Sequence, residues 1–343
     1  MSKSGPKLLL VGAGLIGRRH LEYLPSHAIL CGIVDPSPAA TEIAVQFGVQ
    51  CFTDLDRALN EARPDGAILA TPNALHMPQA SQCIAAGVPC LIEKPLAESA
   101  AAAAPVLDQA SAADVAILVG HHRRHNNLIK TAKAAIDRGH LGELVSVDAK
   151  FLLYKPDDYY DIQWRRKPGA GPTFINMIHD LDLLRHLCGE VSAVMAVESH
   201  ARRGFEVEDT AAVLLKFTNG ALGTVSISDT AVSPWSWEFA SAENPAYPHV
   251  PGTAYALSGT DAALSVPDLK TWHHPQAKGW WEPMAQSQLE FEPNDPLDEQ
   301  LRHFAAVIEG REEPLVSGEE GLRSLQLLEA IKSSATTQSW VEL

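Results

Sequence analysis

Leu8-Leu9-Leu10-Val11-Gly12-Ala13-Gly14-Leu15-Ile16-Gly17 decides how the rest of the chain is read. Four apolar residues in a row suit a strand buried on both faces of a parallel sheet. They run directly into G-x-G-x-x-G, and helical content follows over Gly17–Leu24. In that context Gly12 permits the tight turn, Gly14 lets backbone approach a pyrophosphate, and Gly17 lets helix and strand pack closely. The helix start around Leu15 and Ile16 supplies free N–H groups and a partial positive charge for phosphates. The same glycines, followed by Arg18, Arg19 and His20, break the apolar run, so it reads as a first strand and not as a secretory leader.

The next apolar run, Ile29–Val34, ends at Asp35. An acid at this distance from the glycine turn meets the adenosine ribose of a dinucleotide. A carboxylate accepts hydrogen bonds from a ribose 2′-OH and repels a 2′-phosphate. Pro36, Ser37 and Pro38 offer no base to hold such a phosphate, so NAD is expected over NADP. Further strands are expected at Gly66–Ala70, Pro89–Ile92 and Val115–Val119, alternating with helices at Pro38–Phe47, Leu55–Ala62, Met77–Ala86 and Ser99–Ala112. That alternation predicts an α/β Rossmann domain over residues 1–122, a doubly wound parallel sheet.

Past residue 122 the texture changes. A helix at Asn127–Asp137 is followed by strand patterns at Leu144–Leu153, Ala193–His200, Thr210–Phe217, Ala221–Ser228 and Trp235–Ala240. A single helix over Pro172–Leu187 interrupts them, and Asn219-Gly220 is a hairpin turn signal. Residues 242–252 and 273–296 read as long loops, and Leu297–Ser334 as two helices joined by a turn at Gly310–Ser317. An α+β domain with a mainly antiparallel sheet is expected over residues 123–343, with the C-terminal helices packing back on the first domain.

Charge and composition remove several function classes. The 343 residues carry 42 acids and 27 bases, a net charge of −15, which argues against a nucleic-acid or anionic-membrane face. No apolar run approaches the roughly 20 residues of a membrane span. Cys31, Cys51, Cys83, Cys90 and Cys188 form no C-x-x-C pair, so neither a disulfide framework nor a metal site is indicated, and a reducing, cytoplasmic setting fits.

Two further segments carry a recognisable pattern. One runs from Ala70-Thr71-Pro72-Asn73 and His76 to Glu93-Lys94-Pro95; the other is Gly169–Arg185, with Asn176, His179 and Asp182 in a helical frame. Together with the glycine turn, these resemble the Gfo/Idh/MocA oxidoreductases, over nearly the whole chain. The resemblance implies a nucleotide-binding domain followed by an open-sheet domain, and NAD(P)-linked oxidation or reduction at a carbon bearing oxygen. It implies cofactor contacts from Thr71, Pro72, Asn73, His76, Glu93, Lys94 and Arg165. It implies substrate contacts from Arg123, Trp164, Asn176 and Asp182, a cis bond before Pro95, and assembly into dimers or tetramers.

The residue chemistry agrees. Lys94 ends a strand at the carboxyl edge of a parallel sheet, where the cofactor crevice lies. Burial and the positive charge of an oxidised nicotinamide both lower a lysine pKa, which lets Lys94 accept a hydroxyl proton as hydride leaves. His179, with an ordinary pKa near neutrality, is the natural second acid/base group. The family commonly has an aspartate four residues before this histidine, where this chain has Ile175. Asn176, at i,i+3, is expected to orient the ring instead. Asp182 reads equally as a partner of Arg185 on an exposed helix face.

His121-His122-Arg123-Arg124-His125 and Trp164-Arg165-Arg166-Lys167 are dense basic runs in an acidic chain, expected to be mostly solvated. Arginines in a site suit carboxylates, which leaves a sugar acid or cyclitol acid open beside neutral polyols. A non-catalytic dinucleotide sensor of the same fold is the rival reading, and the presence of both Lys94 and His179 favours an enzyme.

Overall fold

The computed structural model describes residues 5–343. The first strand, β1 (Lys7–Val11), feeds helix α1 (Leu15–His27) through the glycine turn. The chain then alternates through β2 (Ile29–Val34), α2 (Pro38–Phe47), β3 (Cys51–Phe52), α3 (Leu55–Ala62), β4 (Gly66–Leu69), α4 (His76–Ala85), β5 (Cys90–Ile92), α5 (Ala100–Ala113) and β6 (Ile117–Val119). All pairings are parallel and the order is β3-β2-β1-β4-β5-β6, a doubly wound Rossmann sheet. The order reverses between β1 and β4, which opens the crevice where dinucleotides bind in such sheets. Capping side chains start the helices: Asp54 accepts from Arg57 N–H and Ser99 from Ala102 N–H.

Beyond β6 come α6 (Asn127–Asp137), β7 (Leu144–Leu152), α7 (Pro172–Ile175), α8 (Met177–Cys188), β8 (Val191–Ser199), β9 (Thr210–Phe217), β10 (Leu222–Ser228) and α9 (Trp237–Ala240). Then follow β11 (Thr253–Gly259), β12 (Ala262–Pro267), β13 (Lys270–His273), β14 (Ala285–Gln288), α10 (Pro296–Ile308), α11 (Gly318–Thr337) and β15 (Val341–Glu342). Nine of these strands form a sheet in the order β14-β13-β12-β11-β7-β10-β9-β8-β15. It is antiparallel except where β10 pairs β7. One face buries Val147, Ala149, Phe151, Val213, Leu215, Val225 and Ile227, every second residue of its strands.

By contacts, the chain divides into two units: residues 1–125 with 295–325, and residues 126–294 with 326–343. The α10 segment is part of the first unit's core, where Leu301, Phe304 and Val307 pack with Leu8, Leu21, Leu24 and Ile68.

Three local expectations are corrected. Trp235–Ala240 holds a helical turn and not a strand; the Ser236 side chain caps it, and buried Trp237 stacks on Tyr255 at 6.0 Å between centroids. The span read as one helix breaks at Asn176, so that α7 and α8 are separate. Residues 273–296 are not all loop, because β14 adds to the edge of the sheet through β13. Its exposed polar residues carry no apolar alternation to announce it.

Candidate active site

The phosphate turn is built by close backbone approach. Gly12 has φ +94°, and a Cβ there would lie 2.6 Å from the Ala70 carbonyl oxygen. A Cβ on Gly17 would collide with the Gly12 carbonyl. Gly14, by contrast, has nothing within 4 Å of its Cβ position, so the backbone is open to a ligand there. Leu15 beside it is 94% exposed, and Ile16 packs inward against the core. Asp35 follows β2, and its Oδ2 accepts from Ala13 N–H at 2.8 Å while Oδ1 accepts from Ser37 N–H at 2.8 Å. Partial burial acts to raise its pKa, but these hydrogen bonds and nearby Arg18 outweigh it and hold the carboxyl below its ordinary range. An open glycine backbone, a helix start and an ionised carboxylate fit a dinucleotide's pyrophosphate and ribose.

Across the switch point, the end of β4 and the turn after β5 are tied together. His76 is buried with Nε2 at 2.9 Å from Thr71 O and Nδ1 at 3.0 Å from Pro95 O. The Thr71 hydroxyl donates to Gln79 Oε1 at 2.6 Å, and Pro72 and Asn73 lead into α4 through a short 3₁₀ turn. Lys94 is half-buried, and the Lys94–Pro95 bond is cis. Beneath it, His20 Nε2–H of α1 donates to Glu93 Oε1 at 2.8 Å in the interior. Burial acts to raise the Glu93 pKa, yet His20, with His122 and Lys94 nearby, holds it below the usual glutamate range.

The first basic run is not solvated. His121, Arg123, Arg124 and His125 are all buried, on a 3₁₀ turn packed against α10. Arg124 pairs with Glu320 at 2.9 Å, and His125 lies 5.1 Å from His303 between ring centroids. α10 and the start of α11, returning from the far end of the chain, cover these charges, which composition alone does not reveal.

In the second unit, the break at Asn176 is the centre of a polar cluster. Gly171 opens α7 so close to Glu208 that a Cβ there would strike the carboxylate, and Thr173 N–H donates to Glu208 Oε1 at 3.1 Å. The Asn176 amide oxygen accepts from Lys155 Nζ at 2.9 Å. Lys155 also lies 3.7 Å from Asp229 Oδ2, which accepts the Tyr160 hydroxyl. Arg203 braces both: Nη2 donates to Lys155 O at 2.6 Å and to Asp229 O at 2.9 Å, and Nε to Asp229 Oδ1 at 3.3 Å. His179 follows one turn after Asn176 on α8, half-buried. Asp182 is buried, so the helix face that carries it is not exposed; Arg185 forms a paired contact with Glu190 at 2.8 and 2.9 Å. Trp164 is 56% exposed, and Arg165 stacks 4.0 Å over Tyr159.

A family model described as the oxidoreductase family with an NAD-binding Rossmann fold matches residues 7–121, and the GFO/IDH/MocA C-terminal domain matches residues 129–262. The chain belongs to the Gfo/Idh/MocA oxidoreductases. Its nucleotide is NAD, bound through the Rossmann domain. It is 27% identical to a myo-inositol 2-dehydrogenase of Thermotoga maritima over 97% of each chain. It is 27% identical to a 1,5-anhydro-D-fructose reductase of Ensifer adhaerens over 86% of this chain and 85% of the other. The WlbA dehydrogenase of Bordetella pertussis, solved with NADH and UDP-GlcNAcA, superposes with a TM-score of 0.78 at 26% identity over 99% of each chain.

Membership in the family does not by itself bring out His20 or Lys155. His20 carries a signal all the same: Gly17, His20, Leu21 and Leu24 are the buried stripe of α1, at i, i+3, i+4 and i+7. A histidine on such a stripe needs a buried partner, and Glu93 provides it. Lys155 carries no such signal, since its partners are 21 and 74 residues away in sequence. Among the described residues, no group of three or more His, Cys, Asp or Glu side chains could hold a metal, and no helix is long and apolar enough to cross a membrane.

Proposed function

We propose that this oxidoreductase moves a hydride between NAD and a CH–OH or C=O carbon of a sugar, cyclitol or sugar acid, with Lys94 carrying the hydroxyl proton and His179 assisting. The position of Lys94 carries the reading. It stands on the turn closing β5, whose neighbour β4 pairs with β1, the strand that opens the phosphate turn. Bound NAD supplies the hydride acceptor. In the oxidative direction the substrate C–H bond breaks with its electron pair, the O–H proton passes to the neutral Lys94 amine, and the carbonyl forms. In reduction the Lys94 ammonium returns that proton to the forming alkoxide. His179 is the second proton-carrying group, and Asn176, Arg123, Trp164 and Asp182 are its companions as substrate contacts. Cofactor contacts are assigned to Gly12, Gly14, Leu15, Ile16, Gly17, Asp35, Thr71, Pro72, Asn73, His76, Glu93, Lys94 and Arg165. The names of the similar proteins, an inositol dehydrogenase, an anhydro-fructose reductase and an enzyme solved with UDP-GlcNAcA, support a polyhydroxylated substrate.

Exposed Val197, Leu214 and Leu222 share the open face of the nine-stranded sheet and support assembly into a dimer or tetramer. Five free thiols suit the cytoplasm. The test is a panel of polyols, aldoses, cyclitols and sugar acids scored for NADH formation by absorbance. Turnover of at least one member is the expected result, and silence across all four classes in both directions overturns the assignment.

A further inference from the structure

Lys155 is a lysine with less protein around its charge than its burial demands. It is 8% exposed. An ammonium has three N–H donors. One reaches Asn176 Oδ1 at 2.9 Å, a neutral acceptor. Among the described residues the carboxylate paired with it is Asp229, at 3.7 Å and beyond a good hydrogen bond, and the Tyr159 ring lies against the ammonium at 5.1 Å to its centroid. That carboxylate is already engaged by the Tyr160 hydroxyl on one oxygen and Arg203 Nε on the other. Glu208, the other acid whose charge acts on Lys155, is held by Thr173 N–H and by Lys332 at 3.0 Å. Residue 175, adjoining Asn176, is isoleucine and contributes no charge. Burial pulls the Lys155 pKa below the ordinary lysine range despite the attraction of Asp229.

The surroundings also aim it. Arg203 ties the Lys155 backbone carbonyl to the Asp229 side chain, and the Asn176 oxygen holds the ammonium itself. Asn176, having spent its oxygen on Lys155, presents its NH₂ group, which is a donor only. An ammonium with N–H donors beyond the one given to Asn176, and an amide donor beside it, suit an acceptor with two oxygens and negative charge.

We infer that Lys155 is a specificity-determining residue that selects substrates bearing a carboxylate, one oxygen meeting its ammonium and the other the Asn176 amide. This rests on the reading of Asn176 as a substrate contact. A neutral polyol satisfies the same donors through hydroxyl oxygens but does not compensate the buried charge.

The experiment compares matched pairs that differ only in the acid group: D-glucuronate against D-glucose, and D-gluconate against D-glucitol. Two readouts are taken on the NAD-loaded protein at constant ionic strength: kcat/KM for NADH formation, and the shift in melting temperature. The acid member of a pair should be favoured in both. Lys155→Met should cut the acid-to-neutral ratio of kcat/KM roughly 10- to 100-fold, mainly through KM, the scale of one hydrogen bond to a charged group. Lys155→Arg should keep most of the ratio. Asn176→Asp, which is isosteric and supplies the ammonium with its own carboxylate, should abolish it, and covers the case in which Lys155→Met fails to fold. Equal loss of acid and neutral partners in the variants, or no acid preference in the unaltered protein by either readout, overturns the inference. Acid-selective stabilisation without turnover supports this role for Lys155 and counts against the hydride-transfer reading; turnover of neutral sugars alone does the reverse.

Discussion

The turn that carries Lys94 and the helix break that carries Asn176 are built on opposite principles. The first is a matter of backbone: glycines packed against carbonyls, His76 spanning two main-chain oxygens, and one interior pair, His20 with Glu93. The second is a mesh of side chains, in which Lys155, Asn176, Asp229, Tyr160 and Arg203 hold one another. A cofactor common to many enzymes needs one shape, and backbone supplies a shape that few substitutions improve. A substrate differs between enzymes, and a mesh of charged side chains can be retuned one residue at a time without moving the main chain.

The comparison breaks most visibly at Lys94. If the chemistry sits on the backbone-built side, Lys94→Ala should lower turnover by on the order of 10²-fold or more, the usual scale of general acid–base assistance. NAD affinity, measured by fluorescence titration, should change far less, because the glycine turn and Asp35 are untouched. Full turnover in the variant at every pH would move the proton transfer to the other region.

The next largest effect is on stability. Removing His20 takes away the main partner of the interior Glu93 carboxylate, a change worth about 3 kcal/mol. Its pH dependence separates charge from packing. The Glu93 pKa is depressed in the folded chain, so its contribution is present above the unfolded value and is lost as pH falls through the folded one. Without His20 the largest lowering influence is gone, and burial moves the carboxyl pKa upward from its depressed position. The gap in melting temperature between His20→Ala and the unaltered protein should therefore widen from about pH 4 to pH 7. A gap of constant size would mean that the histidine contributes only volume.

The two regions were also unequally legible. In the Rossmann half, Ile29–Val34, Pro38–Phe47 and Leu55–Ala62 have the limits expected of them, because buried parallel strands are continuous apolar runs and the turns between them carry Gly, Pro and Asp. Only β3, two residues long, gave no pattern. In the second half, β9 and β10 alternate and announce themselves, whereas β13 and β14 lie at an exposed edge where either face tolerates polar residues; β11 and β12 bury Tyr255, Leu257, Leu264 and Val266 but are short and follow a long irregular stretch. The site divides in the same way. The glycines are readable because local chain geometry demands them, Asp35 because it ends the strand after the glycine turn, and Lys94 because Glu93-Lys94-Pro95 resembles the family pattern. The partnership of Lys155 with Asn176 depends on where β7 ends relative to α7, which no local pattern encodes. The buried state of Arg123 and Arg124 depends likewise on α10 and on Glu320, almost two hundred residues away.

The smallest expected effect bears on Asp35, where the two principles meet, since a side chain there braces the backbone turn. The carboxylate accepts from Ala13 and Ser37 N–H groups, so Asp35→Ala loosens the turn as well as removing the ribose contact, and both NAD and NADP should bind more weakly. Asp35→Asn is the milder change. It keeps one of the two acceptor oxygens and the shape of the side chain, gives up one of the turn's hydrogen bonds, and removes the charge that repels a 2′-phosphate. In the asparagine variant NAD should weaken by roughly tenfold or less and NADP should gain, narrowing the ratio of their dissociation constants. Because the Asp35 pKa lies below the ordinary range, the carboxylate stays ionised at neutral pH, and the NAD preference of the unaltered protein should be flat from about pH 6 to pH 9. If Asp35→Asn leaves the ratio where it was, discrimination lies in the shape of the Pro36–Pro38 turn, and the backbone rule extends to the whole of the cofactor side.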